Sequence, residues 1–195
     1  MLSQKVYKIQ NFKKCKLLLP RYEECQVNAF RKQLKLVNKS FTARIIKTTN
    51  FFETPKIVTR QTANRIIGTI DHDGYYVKNS VHSTLIKKEY ADLMTLEYIL
   101  SVLNSRLIDW YYRVLSMEAG RVFPQVKISR IAALPIRFLS RDEQAPFIRF
   151  VNQVSNCKKE SPNADTALIE REIDQLIYKL YDVSEEDIQL IEASE

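Results

Sequence analysis

Apolar residues repeat at alternating steps of three and four between residues 90 and 116. The positions are Leu93, Leu96, Leu100, Leu103, Leu107, Trp110 and Val114. This spacing puts them on one face of a helix, as expected where a helix packs on a core. The pair Asn104-Ser105 interrupts the stripe, and serine is a favoured residue for capping the start of a helix. We therefore predict two helices that meet at an angle.

Residues 56–88 follow a different pattern, rich in Ile, Val, Thr and Tyr, which favours β-strands. The predicted strands are Lys56–Gln61, Ile66–Ile70, Tyr75–Lys78 and Val81–Lys87. The segment Asp71-His72-Asp73-Gly74 is a turn signal, because Asp-Gly tolerates the positive φ of tight hairpins. We expect the two strands beside this turn to pair antiparallel, with the other two as neighbours, in a small, twisted, mostly antiparallel sheet.

The remainder of the chain predicts one more strand and then helices. Residues Val126–Ile136 suit a strand, and Ser140–Glu143 forms a capping box that begins a helix reaching about Lys158. Later helices are amphipathic, and Ser184 is suited to cap the last one. Their apolar stripe is Ile169, Ile173, Leu176 and Leu180. The predicted fold class is α+β, with a sheet, a central helix–break–helix and C-terminal amphipathic helices.

The net charge of +7 is divided unevenly along the chain. Residues 1–60 carry a net +11, residues 61–138 a net +3, and residues 139–195 a net −7. A basic front of this kind indicates a polyanionic partner, although lysines that only solvate a surface would look the same. Charge and predicted structure change together near residue 139. We expect a boundary there, between residues 1–138 and a helical subdomain at 139–195.

Several classes of site are excluded by composition. The three glycines Gly68, Gly74 and Gly120 lie far apart, whereas dinucleotide sites and P-loops need closely spaced glycines, because a Cβ would collide with the phosphates. The three cysteines show no C-x-x-C spacing and the chain has two histidines, so we expect no ordinary zinc site. We also expect a cytoplasmic protein with reduced cysteines. Apolar runs are far shorter than the roughly 20 residues of a membrane helix.

Catalytic side chains are not arranged in any familiar pattern. Neither a G-x-S-x-G elbow nor an H-E-x-x-H pair accompanies His72 and His82, so we interpret both as non-catalytic. Asp71 and Asp73 flank the predicted turn and are explained as caps of its backbone. A nuclease would need clustered carboxylates beside a lysine, but most acidic residues fall in the C-terminal helices. We predict no catalytic residue, metal ligand or cofactor site on this chain.

Two polar, basic segments have the chemistry of DNA recognition. In Gly120–Lys127 an arginine, a glutamine and a lysine surround an aromatic ring. Arginine can bind guanine and glutamine can bind adenine in the major groove, while lysine neutralises phosphate. The candidate contacts from this segment and the sheet are Lys56, Arg60, Gln61, Arg65, Lys78, Asn79, His82, Ser83, Arg121, Gln125 and Lys127. An ordinary solvated surface is the alternative for each.

Four segments in order resemble the TaqI-like C-terminal specificity domain of restriction–modification adenine DNA methyltransferases. They are Pro55–Gln61 leading to Ile70-Asp71, then Tyr75–Ser80, Leu96–Leu107 with its Asn-Ser pair, and Val122–Ile136 with its Leu-Pro-Ile ending. The likeness spans roughly residues 40–180, and the basic residues 1–40 match poorly. The Asn-Ser pair and the Leu-Pro-Ile ending also resemble type I specificity subunits.

The resemblance implies that residues 1–138 recognise a short duplex DNA target for a type II restriction–modification methyltransferase or endonuclease. A methyltransferase domain or subunit, in cis or in trans, would then methylate adenine with S-adenosylmethionine. Its glycine-containing cofactor loop and its Asn/Asp-Pro-Pro-Tyr/Phe motif are not in these residues, so we expect a fragment or a separate specificity polypeptide. The alternative is a protein-interaction module in which helices 141–181 dock a partner and the basic front is incidental.

Overall fold

The computed structural model describes residues 37–38, 50–77, 80–86, 90–116 and 124–194. Its strands are β1 Val37–Asn38, β2 Lys56–Arg60, β3 Gly68–Asp71 and β4 Val81–Leu85. In the described part of the chain, the helices are α1 Asn50–Glu53, α2 Leu96–Asn104, α3 Arg106–Ser116, α4 Ile128–Ile131, α5 Arg141–Glu160, α6 Ala167–Leu180 and α7 Glu185–Glu192. The predicted α+β class is confirmed.

The four strands form one sheet in the order β1-β4-β2-β3, and every neighbouring pair is antiparallel. Thr59 of β2 lies opposite Gly68 of β3 and opposite His82 of β4. Directly opposed residues share a face of an antiparallel sheet. A Cβ added to Gly68 would lie 3.2 Å from Leu100 Cδ1, so this face packs on α2. Glycine lets the sheet and the helix approach closely here.

The predicted helix–break–helix is confirmed, although the first helix begins at Leu96. Ser105 lies between α2 and α3, where its Oγ donates to the Val102 carbonyl at 2.8 Å and accepts from Ile108 N at 3.3 Å. One side chain therefore caps the end of α2 and the start of α3. Most of the predicted stripe is in the core, including Leu103, Leu107 and Trp110, whereas Leu93 is exposed.

The predicted hairpin between Ile66–Ile70 and Tyr75–Lys78 is wrong. Residues 75–77 form no strand, and β3 pairs instead with β2, from Lys56 opposite Asp71 to Thr59 opposite Gly68. The turn itself exists, with Gly74 at a φ of 78°. Its amides do not bond to a returning strand because the Asp71 side chain accepts the hydrogen bonds of three of them.

The predicted strand over Val126–Ile136 is also wrong. Gln125 makes an isolated bridge with Thr62, and the chain then turns into the short helix α4. The amides of Arg130 and Ile131 donate to the Lys127 carbonyl, and further bonds of the same kind follow. The Ser-Arg-Ile-Ala-Ala stretch contains arginine and alanine, which favour helices. The buried residues Ile131 and Leu134 are three apart, as on a helical face.

The C-terminal helices pack on α2 and α3. The predicted capping box is confirmed: Ser140 N donates to Glu143 Oε2 at 2.8 Å, and Glu143 N donates to Ser140 Oγ. Gln144 of α5 is fully buried, and its amide bonds to the backbone at Leu93, Thr95 and Leu139. Among the helices of the described residues, none has the length and apolar character needed to cross a bilayer.

Candidate nucleic-acid interface

Two segments singled out in the sequence meet at the end of the sheet where β2 finishes. Val126 N donates to the Gln61 carbonyl at 2.7 Å, and Ala63 N donates to the Pro124 carbonyl at 3.2 Å. Between these two bonds, Thr62 and Gln125 form an antiparallel bridge. Residues 124–126 therefore extend the sheet beside residues 61–63. The β2–β3 loop and the segment before α4 form one continuous surface.

The side chains on this surface are polar and mostly accessible. We call them the polar rim, and they are Arg60, Gln61, Arg65, Gln125 and Lys127. Gln61 is half-buried and the other four are exposed. Neither residues 60–70 nor residues 124–137 contain an aspartate or glutamate. The rim therefore carries three cations with no carboxylate in its own segments, which suits the binding of a polyanion.

Side chains beneath the rim hold the backbone of residues 125–127 in place. Tyr112 of α3 is 2% exposed, and its hydroxyl accepts from Lys127 N at 2.8 Å and donates to the Gln125 carbonyl at 3.4 Å. His82 Nε2 lies 2.8 Å from the Val126 carbonyl. A carbonyl oxygen can only accept, so this ring nitrogen carries the hydrogen. Three successive residues are thus bonded to two side chains.

Three of the predicted contacts are buried or half-buried in this fold. Lys56 is fully buried, and its ammonium group donates to Asp71 Oδ2 at 2.5 Å and to the Phe52 carbonyl at 2.6 Å. Ser83 is buried in the central strand β4. His82 is half-buried and bonds to the Val126 backbone. We therefore remove these three from the proposed contacts.

Three further predicted contacts, Lys78, Asn79 and Arg121, lie outside the described residues. Sequence reasoning, in turn, missed Arg130, which is exposed on α4 next to the rim. It also missed the hydroxyl of Tyr112. A tyrosine at a buried helical position is itself a signal, because its hydroxyl needs a hydrogen-bond partner.

The Asp71 side chain caps the backbone of the turn, as predicted from the sequence. Burial raises the pKa of its carboxyl, but the hydrogen bond and charge of Lys56 and the amides of Asp73 and Gly74 outweigh burial and hold the pKa below its usual value. The carboxylate is therefore ionised at neutral pH. Within the described ranges, no three His, Cys, Asp or Glu side chains cluster as metal ligands would.

Comparison with models of protein families matches most of the chain to one family. Residues 4–136 match the family described as the TaqI-like C-terminal specificity domain. The match therefore includes most of the basic residues 1–40, and it ends before the C-terminal helices, unlike the span of residues 40–180 expected from the sequence. The matched region covers more than half of the 195 residues. It contains the polar rim, the Asn104-Ser105 break and the Leu-Pro-Ile segment. A search of curated proteins found none that matches the chain.

Proposed function

Because the chain belongs to the family of TaqI-like C-terminal specificity domains, we propose that the polar rim is the surface with which it reads duplex DNA. Family membership gives the general role, which is recognition of a DNA target in restriction–modification methyltransferases. We propose further that the enzyme is a type II system that methylates adenine. A specificity domain is not itself catalytic, so methyl transfer belongs to a separate domain or subunit.

The observation that carries this proposal is the pairing of residues 61–63 with residues 124–126. This pairing brings two glutamines and three cations together at one end of the sheet, where all but Gln61 are exposed. The side-chain amide of Gln61 or Gln125 has a donor and an acceptor that complement those of adenine in the major groove. Arginine has two donors that complement the two acceptors of guanine. Lys127 and Arg130 suit phosphate oxygens, which fix the position of a protein on DNA without reading sequence.

The acidic end of the chain is proposed to face away from the DNA. Residues 139–195 carry a net −7, and carboxylates beside phosphates would repel. Asp174 of α6 accepts from Arg106 N at 2.9 Å and pairs with Arg106 Nε at 3.3 Å, which joins these helices to the start of α3. We propose that this face contacts the methyltransferase domain or subunit, which binds S-adenosylmethionine in the cytoplasm.

Selection from a random pool tests the proposal. The 195-residue chain is incubated with random duplexes, and the bound DNA is sequenced over several rounds. We expect enrichment of one short site by the unaltered chain and weaker enrichment by Gln125→Ala. A matched control is Arg171→Ala, which removes an exposed cation from α6 and should leave the enrichment unchanged. If the chain enriches no site but captures a folded protein partner, it is an interaction module instead.

A further inference from the structure

We propose that Tyr112 and His82 are positioning residues that set the sequence preference of DNA binding. They would do so by fixing the backbone of residues 125–127, and the inference rests on the function proposed above. Neither side chain is placed to touch DNA. Tyr112 is buried in α3, and His82 is half-buried under the Val126 carbonyl. Their effect on recognition therefore passes through the backbone that they hold.

The segment presents alternate side chains to opposite sides. Gln125 and Lys127 are exposed, whereas Val126 between them is 1% exposed and belongs to the core. In an extended segment, a shift of one residue would turn the buried side chain outward and bury a polar one. Two polar groups can thus be displayed together in only one register. The register of residues 125–127 is set by the groups that form hydrogen bonds with their backbone.

The bonds to this backbone come from two different elements. Tyr112 reaches Gln125 O and Lys127 N from α3, while His82 reaches Val126 O from β4. Strand β4 lies between β1 and β2, so the imidazole projects from the middle of the sheet. The Gln61 carbonyl adds a third attachment through Val126 N. The segment is thus held by a helix, a central strand and the β2–β3 loop.

Base reading should depend on this support more strongly than phosphate binding does. A binding group must be held within about 0.5 Å of its productive position, because hydrogen bonds to base edges are directional. Attraction between a lysine and a phosphate varies slowly with distance. A loosened segment should therefore lose preference for its target while it keeps most of its general affinity for DNA.

The test uses Tyr112→Phe and His82→Leu in the full chain. Dissociation constants are measured for the selected duplex and for a scrambled duplex at one salt concentration. For each variant we expect the ratio of the two constants to fall about tenfold, a loss comparable to that of one base contact. The affinity for the scrambled duplex should stay within about twofold. Hydrogen exchange of the Lys127 amide should also accelerate in Tyr112→Phe, since its acceptor is lost.

Two further variants separate positioning from general stability. In His82→Gln, the amide nitrogen lies as many bonds from Cα as Nε2 does, so it can donate to Val126 O and should restore the ratio. Tyr98→Phe also removes a buried hydroxyl that donates to a backbone carbonyl, that of Arg137 at 2.6 Å, but away from the rim. It should lower the melting temperature and leave the ratio intact.

The outcomes distinguish this inference from the function on which it rests. If the unaltered chain prefers no duplex, the proposed function fails, and the inference fails with it. If the unaltered chain shows a preference that Tyr112→Phe and His82→Leu both retain, the inference alone is overturned. It is also overturned if Tyr98→Phe lowers the ratio as much as Tyr112→Phe does.

Discussion

The side-chain amide of Asn104 forms two hydrogen bonds with the backbone of Gly68. Its Oδ1 accepts from Gly68 N, and its Nδ2 donates to Gly68 O, each at 2.9 Å. Strand β3 is the edge of the sheet, so Asn104 occupies the place of a further strand at this point. The last residue of α2 therefore bonds to the strand whose glycine lies against Leu100.

Replacement of Asn104 should therefore lower stability although the side chain is exposed. Asn104→Ala removes both hydrogen bonds, and we expect the free energy of unfolding to fall by about 1 kcal/mol. Asn104→Asp should cost more at neutral pH, because it places a carboxylate oxygen against the Gly68 carbonyl. Urea unfolding measures both. Asn152→Ala, at an exposed position of α5, is the control and should change little.

The buried pair of Lys56 and Asp71 should make stability depend on acid pH. The pKa of Asp71 is lowered in the folded chain, so its contribution is complete above the unfolded value near 3.9 and is lost as the pH falls through the folded pKa. We expect the melting temperature to fall below about pH 4, where the unfolded state takes up this proton.

Asp71→Asn isolates the contribution of this pair. It leaves a buried ammonium group without its counter-ion, and breaking such pairs costs about 3–5 kcal/mol. The variant should be much less stable than the parent at pH 7, and the gap should narrow as the pH falls below about 4. Asp73→Asn, at an exposed residue of the same turn, is the control. An equal gap at pH 7 and pH 3 would contradict the assignment.

Periodicity predicted the helices well, and residue type placed three strands close to β2, β3 and β4, but neither predicted how the strands pair. The break at Asn104-Ser105 and the capping box at Ser140 depend on residues close in sequence, so both could be predicted. The predicted hairpin after Asp71 was wrong because the Asp71 side chain accepts the hydrogen bonds of the turn amides, which a returning strand would otherwise have accepted. That competition between side chain and backbone leaves no mark on the pattern of apolar residues.

The candidate site was predicted in part, for a related reason. Residue type identified the rim from its two arginines, two glutamines and one lysine, but it did not show which of the predicted basic residues are exposed. Lys56 looked like a surface cation because its partner Asp71 lies 15 residues away, across a strand pair. The bridge between Thr62 and Gln125 joins residues that are still farther apart in sequence. The contact between their two segments therefore could not be predicted without the structure.

Cations of the rim should contribute to the salt dependence of DNA binding. Each phosphate contact that is lost should reduce the slope of log affinity against log salt by about one. We expect this change for Arg60→Ala, Arg65→Ala and Lys127→Ala, measured by titration from low to physiological salt. Arg171→Ala on α6 should leave the slope unchanged. Equal slopes for the rim and control variants would argue against phosphate binding at the rim.

Glutamine and lysine at neighbouring exposed positions should differ in what they contribute. Gln125→Ala should weaken binding to the selected duplex by roughly 5- to 100-fold and binding to a scrambled one little, since a base contact is worth about 1–3 kcal/mol of discrimination. Lys127→Ala should weaken both alike. Competition titrations with the two duplexes measure this difference. If both variants lose affinity evenly, Gln125 is not a base-reading residue.

The central claim is that the polar rim is the DNA-binding surface. It is tested by following the NMR chemical shifts of the backbone amides while the isotope-labelled chain is titrated with its selected duplex. We expect the largest shift changes in residues 60–65 and 125–130, with small changes in α5, α6 and α7. Largest changes on those three helices, with residues 60–65 and 125–130 unaffected, would contradict the claim.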